Sequence, residues 1–417
     1  MEVHSIVPFF LALAIIIMGA RLFGSLARFI GQPRVLGELL AGVVLGPTLL
    51  NMSHWLIFHD IQLQEMVQPL AELGVLFLMF IIGLEVELSE LTQVGRVAIF
   101  GGLLGAFVPV ILTIPGGMVF GYSLEIALFA GVTLAATSVS ISAQVLLEMG
   151  HLRSKEGNAL LATTLIDDIL AILMVSITVV LIGSSLSEGA ATNNVLMTIA
   201  RMIMFIAIGF FIAWFVLPTV MNKFAEYPVV VQSNGIGAIA IVFMLIFAWA
   251  SEALGGIAMI TGSFMAGLGL SRVQDHIKHE IVESSSAITY TFLMPIFFIN
   301  VGLSIDLSIF PLSALPLGIV LLIIAIISKV GGVGLGAKLG GFANIEALRV
   351  GVCMISRGEV GLIIATLGIS SGILNQDDPL FASLFLVILL TTLLTPILVR
   401  QVFPDREAEI QKEGAST

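Results

Sequence analysis

Two adjacent aspartates, Asp167 and Asp168, stand in the middle of an apolar run, LLATTLIDDILAILMV, residues 160–175. A charged side chain at the centre of a bilayer costs about 3 kcal/mol on insertion scales, and such residues usually mark an ion or proton path. Both lie 10 and 11 residues from Gly157, where the run begins, a depth of about 15 Å at 1.5 Å per helical residue. Lys329, in AIISKVGGVGLGAKLGG, lies 9 to 11 residues from the basic end of its own run, near Lys338 or Gly340. The depths match. One ammonium and two carboxylates at one level predict that Lys329 pairs with one aspartate and leaves the other available to a proton or a cation. A purely structural ion pair needs one carboxylate, not two.

Proton and cation would then compete for a single dehydrated carboxylate. Oxygen ligands suit hard cations, and Thr137 and Ser138, in the mid-run stretch GVTLAATSVSISAQVL (131–146), are candidates to add them. A second polar interruption, Ser356-Arg357-Gly358-Glu359, falls in GVCMISRGEVGLIIATLG (351–368). Arg357 and Glu359 are close enough either to neutralise one another or to offset helix ends, a stabilising role. Glu38 and Glu72 lie nearer the ends of their runs and read as interfacial anchors, and Arg201 as a side chain that snorkels to the outer interface.

The elements that must position these residues follow from composition. Of 417 residues, 58% are hydrophobic and 11% charged, and mean hydropathy is +1.12. Soluble domains carry about 25% charged residues, so the chain is an all-α polytopic membrane protein, in contact with lipid. A net charge of −11 argues against a nucleic-acid partner, which needs a basic face. The one cysteine, Cys353, excludes a disulfide framework, and the histidines form no zinc motif, so no cofactor is expected. The amino-terminal run lacks a basic n-region and a cleavage site and reads as a retained span.

Runs of about 20 apolar residues predict about 13 transmembrane helices: near 5–23, 35–50, 67–86, 97–120, 125–148, 157–182, 195–217, 229–250, 254–271, 285–303, 311–339, 345–373 and 379–400. With the amino terminus outside, 14 of the 17 basic residues fall in cytoplasmic loops and none in an outer loop, the positive-inside rule satisfied throughout. The carboxyl terminus is then cytoplasmic. Outer loops carry acids instead, among them Asp60, Glu188, Asp306 and Asp377. The odd seventh span makes the flanking halves inverted six-helix repeats, with the interrupted spans 5 and 12 in equivalent places. Unwound backbone at membrane depth is tolerated only where it lines a cavity or is buried in protein.

Several separated segments together resemble the monovalent cation:proton antiporter superfamily, in its branch with consecutive aspartates, a bacterial-type sodium/proton antiporter: QPRVLGELLAGVVLGP (32–47), ELGVLFLMFIIGLE (72–85), AATSVSIS (135–142), LIDD (165–168), FFINVGLSIDL (297–307), the Lys329 span and SRGEVGLI (356–363). The resemblance implies a homodimer, two crossed, broken helices, and elevator-like alternating access in the cell (inner) membrane. It implies one transporter domain over 1–400, with a six-helix core near 67–182 and 285–400 interleaved with a dimerisation part, and a short charged tail at 401–417. By position it makes Asp168 the principal cation and proton ligand, Asp167 the partner of Lys329, and Thr137 and Ser138 the broken-helix positions beside the ion. A pair of aspartates rather than Asn-Asp implies electrogenic exchange. Potassium-efflux relatives often append a soluble nucleotide-binding domain; only 17 residues follow position 400 here, which moves sodium or lithium ahead of potassium. A potassium/proton antiporter of the same fold is the near alternative. A passive cation channel would need no Asp-Asp/Lys set, and an intramembrane aspartyl protease needs its aspartates on two facing helices. The chain is therefore read as a transporter and not an enzyme.

Overall fold

The computed structural model describes residues 6–55, 57–58, 62–85, 93–184, 191–227, 235–304, 311–370, 373–375 and 378–403. The outer-loop acids Asp60, Glu188, Asp306 and Asp377, and the tail from residue 404, lie outside the described residues. Among the described residues there is no strand; every regular element is a helix. They are α1 (Ile6–Phe29), α2 (Arg34–Leu45), α3 (Leu63–Glu85), α4 (Gly95–Val119), α5 (Leu124–Ala135), α6 (Val139–Glu148), α7 (Lys155–Ser184), α8 (Ala191–Phe211), α9 (Leu217–Ala225), α10 (Gly235–Ala250), α11 (Met259–Leu270), α12 (Asp275–Ile288), α13 (Met294–Leu303), α14 (Leu315–Leu339), α15 (Asn344–Cys353), α16 (Glu359–Ser370) and α17 (Pro379–Val402). Single π-helical turns, Ile212–Val216 and Thr289–Leu293, join α8 to α9 and α12 to α13.

Ten stretches of the described residues are long and apolar enough to cross a membrane. Each overlaps one of the thirteen expected spans. The remaining three expected spans correspond to α2, to α11 and to the α15–α16 pair, helices of only 10 to 12 residues. Twelve residues rise about 18 Å, short of a hydrocarbon core of about 30 Å. The α15–α16 pair, like α5–α6, is one run interrupted in the middle, whereas α11 is enclosed by protein from Thr261 to Leu270, and hydropathy alone does not separate that case from a lipid-facing span.

The chain divides into two compact units. Unit 1 comprises Met1–Leu22, Ala41–Ser89 and Leu196–Ser304; unit 2 comprises Phe23–Leu40, Glu90–Val195 and Ile305–Thr417. Unit 1 is built around α11, whose residues from Thr261 to Leu270 are all buried. Its glycines let neighbouring backbones touch it: a side chain at Gly262, Gly267 or Gly269 would collide with the carbonyl of Phe247, Phe80 or Ala213 respectively. Without a hydrophobic driving force between helices in lipid, such small-residue contacts are what hold them together.

Unit 2 holds α4, α5, α6, α7, α14, α15, α16 and α17. Its helix starts follow local rules. Ser123 caps α5 by accepting from the Ile126 N–H at 3.3 Å, and Asp378 caps α17 by accepting from Leu380 N–H at 2.8 Å, with Pro379 at the first helical position. The Tyr122 hydroxyl also donates to Asp378, at 2.7 Å. Burial, then this bond to a carboxylate, push the Tyr122 hydroxyl above the ordinary phenol range, so it remains a donor at physiological pH. The main seam of unit 2 is α14 on α4. Gly332 and Gly336 of α14 and Gly340, which follows its last residue, recur every fourth position, and a Cβ at each would strike Leu104 O, Phe100 O or Val97 Cα of α4. Gly331 faces open space.

The seam yields a test. Gly336→Leu forces α14 off the α4 backbone, and overpacking of this kind costs about 1–3 kcal/mol; the purified protein in detergent should melt at a clearly lower temperature. Gly331→Ala should melt at or slightly above the parent midpoint.

Candidate ion site at two broken helices

Unit 2 contains both interruptions. Between α5 and α6 the backbone at Ala136, Thr137 and Ser138 leaves the helical region, with Ala136 at φ −59, ψ 139 and Ser138 at φ −101, ψ 109. Between α15 and α16 the link is Met354–Gly358. The first stretch has no proline or glycine to break it. Its opening is sustained by the second: Ser138 N–H donates to Ser356 O at 2.9 Å, so the two extended segments meet at this bond. Gly358 makes the approach possible, since a Cβ there would fall 2.9 Å from Ser138 Oγ.

The structure brings Asp167, Lys329 and Thr137 together. Lys329 Nζ donates to Asp167 Oδ1 at 2.9 Å and to Oδ2 at 3.0 Å, and both side chains are 0% exposed. Thr137 Oγ1 donates to Asp167 Oδ2 at 2.7 Å, reaching from the first break. Helix α4 comes close to the pair at Gly105, where a Cβ would sit 3.5 Å from Asp167 Oδ1 and 2.7 Å from a methyl of Val333. Asp168 is the next residue, turned about 100° around α7, and is buried at 8% exposure. Thr164, one turn earlier on the same face, donates to Leu160 O at 2.9 Å and to Met354 Sδ at 3.4 Å, which sets the second break against α7.

Arg357 is fully buried, and its guanidinium donates to three carbonyls: Leu134 O at 2.7 Å, Ile355 O at 2.9 Å and Ala325 O at 3.1 Å. Leu134 is in the last turn of α5, where unpaired carbonyls carry the partial negative charge of the helix end. The cation therefore offsets a half-helix terminus. Glu359 opens α16; its side chain lies outside the described residues. Ser138 Oγ lies 3.0 Å from Ser140 Oγ. Glu38, expected at an interface, is 5% exposed and pairs with Arg34 at 3.7 Å, one turn away. Glu72 is exposed and accepts from Gln68 at 2.9 Å, and the exposed Arg201 lies against Gly256.

Sequence reasoning assigned no part in the site to Gly105, Ser142, Thr164, Ser356 or Thr392. Ser142 Oγ donates to Cys353 O and Thr392 Oγ1 to Arg357 O, holding the second break from α6 and α17. Two signals were present: the four-residue spacing of Thr164 from Asp168, which stacks them on one helix face, and the place of Ser356 in the second polar interruption. Among the described residues no cluster of three His, Cys, Asp or Glu side chains could hold a metal ion.

A polytopic helical bundle with two interrupted helices meeting beside buried aspartates defines a membrane transporter. The family model "Sodium/hydrogen exchanger, transmembrane" matches residues 12–403; the chain belongs to that family. It is 34% identical to the Na(+)/H(+)-K(+) antiporter GerN of Bacillus cereus over 399 residues, covering 96% of this chain and 97% of that protein. It is also 34% identical to a Na(+)/H(+) antiporter of Enterococcus hirae, covering 94% and 97%. Its fold is similar to that of the sodium proton antiporter MjNhaP1 from Methanocaldococcus jannaschii at pH 8, with a TM-score of 0.66 and 19% identity over 94% of this chain and 96% of that one.

The buried pair predicts a mutational signature. Lys329→Gln strands the Asp167 carboxylate in a site with no water access, and breaking a buried pair costs about 3–5 kcal/mol. The thermal midpoint of the purified protein should fall sharply, and adding Asp167→Asn in the same chain should restore most of it. A double variant as unstable as the single one would contradict the pairing.

Proposed function

We propose that this protein exchanges sodium, or lithium, for protons across a cell membrane, with Asp168 as the shared binding group. The observation that carries this reading is a second buried carboxylate next to the Asp167–Lys329 pair. Asp167 is engaged by Lys329 and Thr137 at short distances, and Asp168, the next residue on α7, is buried about 100° further round the helix. A buried carboxylate of this kind is neutral either with a proton or with a cation, and the two exclude each other. Coupling follows from that exclusion, because the site crosses the membrane loaded with one or the other.

All the groups invoked, from Thr137 to Arg357, lie in unit 2, so this unit is the body that would carry the ion in an elevator-like cycle of alternating access. The family membership supports cation/proton exchange as the activity, and the one-sided loop charge supports a cytoplasmic carboxyl terminus in the inner membrane. We assign the working form to a homodimer. The intact Asp167–Lys329 pair supports electrogenic exchange: an ammonium that follows the state of its neighbour gives the cycle a second proton-binding group, so more protons than cations move per turnover.

One observation favours a second reading, potassium/proton exchange: the printed activity of the relative GerN includes potassium. Purified protein in proteoliposomes with an imposed proton gradient separates them. Sodium and lithium should collapse the gradient at lower concentration than potassium; the reverse order would establish the second reading. In the same assay Asp168→Asn should abolish exchange while the protein remains folded by size-exclusion chromatography and melting. Exchange by that variant at the parent rate would remove Asp168 from the mechanism.

A further inference from the structure

The second break contains a buried hydroxyl that nothing described so far uses. Ser356 is 0% exposed, and its Oγ has no hydrogen-bond partner among the described residues. Its surroundings are otherwise accounted for. Ser356 O accepts from Ser138 N–H, Arg357 spends its guanidinium on three carbonyls, Thr392 donates to Arg357 O, Ser142 donates to Cys353 O, and Thr164 donates to Leu160 O and Met354 Sδ. A buried polar atom left unpaired costs about 1–3 kcal/mol, and such a group in a native structure calls for an unseen partner.

The position indicates which partner. The Ser356 backbone is bonded to Ser138, and Thr137, one residue earlier, is bonded to Asp167. Met354, two residues before Ser356, touches Thr164, which stacks one turn below Asp168 on α7. Ser356 is therefore held by two separate ties to the segments that flank the aspartate pair. Its oxygen is a neutral donor atom of the kind alkali cations take up when they lose water. A cation there would fill the missing contact.

We propose that Ser356 Oγ is a direct ligand of the transported cation, contributed by the second broken helix, and that it tunes which alkali ion the site accepts. The proposal rests on the reading of Asp168 as the ion-binding carboxylate. A ligand present only in the cation-loaded state should affect cation affinity and selectivity and leave proton binding alone.

The test is sodium- and lithium-driven proton exchange by the full-length protein in proteoliposomes, comparing the parent with Ser356→Ala and Ser356→Cys. The cysteine variant keeps the volume and offers a soft sulfur in place of the oxygen, so it reports on ligation if alanine impairs folding. Both variants should raise the apparent KM for sodium about tenfold, the effect of losing about 1.4 kcal/mol of binding. The sodium-to-lithium preference should change, while the pH profile at saturating cation stays that of the parent. Unchanged KM and preference in the folded variants would overturn the proposal, as would a fall in kcat alone, which would make Ser356 a packing residue. Asp168→Asn, run alongside, separates the two levels. If that variant still exchanges, the site itself is misplaced and the ligand proposal falls with it; if it is dead while Ser356→Ala and Ser356→Cys behave as the parent, only the ligand role is lost.

Discussion

The ion pair between Asp167 and Lys329 is the constraint to which the rest of unit 2 answers. Both side chains are fully buried, and moving each charge out of water costs several kcal/mol, which close geometry and further hydrogen bonds must offset. The offset is assembled from several helices. Lys329 reaches both carboxylate oxygens from α14, Thr137 supplies a further donor from the first break, and Gly105 lets α4 come near the pair without a side chain in the way. The glycine seam between α14 and α4 serves the same end, since it fixes the helix that carries the ammonium. A pair held this way engages both oxygens of Asp167.

The breaks raise a second electrostatic problem, and Arg357 addresses it. Interrupting a helix in an apolar setting exposes carbonyls that have no water to bond. The guanidinium, with donors in a planar fork, takes one carbonyl from the end of α5, one from its own break and one from α14. Hydroxyls of Ser142 and Thr392 take two more, Cys353 O at the end of α15 and Arg357 O in the second break. Local distortion that would unfold an isolated helix is thus stabilised by groups from four helices.

Part of this was legible from sequence because it rests on fixed geometry. Charges in an apolar run are rare, and a constant rise per residue let Asp167 and Lys329 be matched in depth before any contact was known. Polar residues in mid-run marked both interruptions. What stayed hidden depended on the neighbours of a residue. The partners of Arg357 are backbone carbonyls, which carry no sequence signal. Hydropathy reports composition and not hydrogen bonding, so α2 and α11 read as full spans although each has only 12 residues. The same blindness shortened the α12–α13 stretch, whose polar beginning at Asp275 is helical up to the π turn. Of the glycines in the Lys329 span, Gly332 and Gly336 touch the α4 backbone while Gly331 touches nothing; spacing alone does not say which face is packed.

The central claim is that Asp168 holds a proton or an alkali cation and never both. Calorimetric titration of the purified protein with sodium, repeated in buffers of different ionisation enthalpy, counts the protons released on binding. The account predicts release of more than one proton per bound sodium at a pH where Asp168 is protonated, one of them from Asp168 itself, and no sodium-linked release from Asp168→Asn. Sodium binding to the parent with no proton released would contradict it.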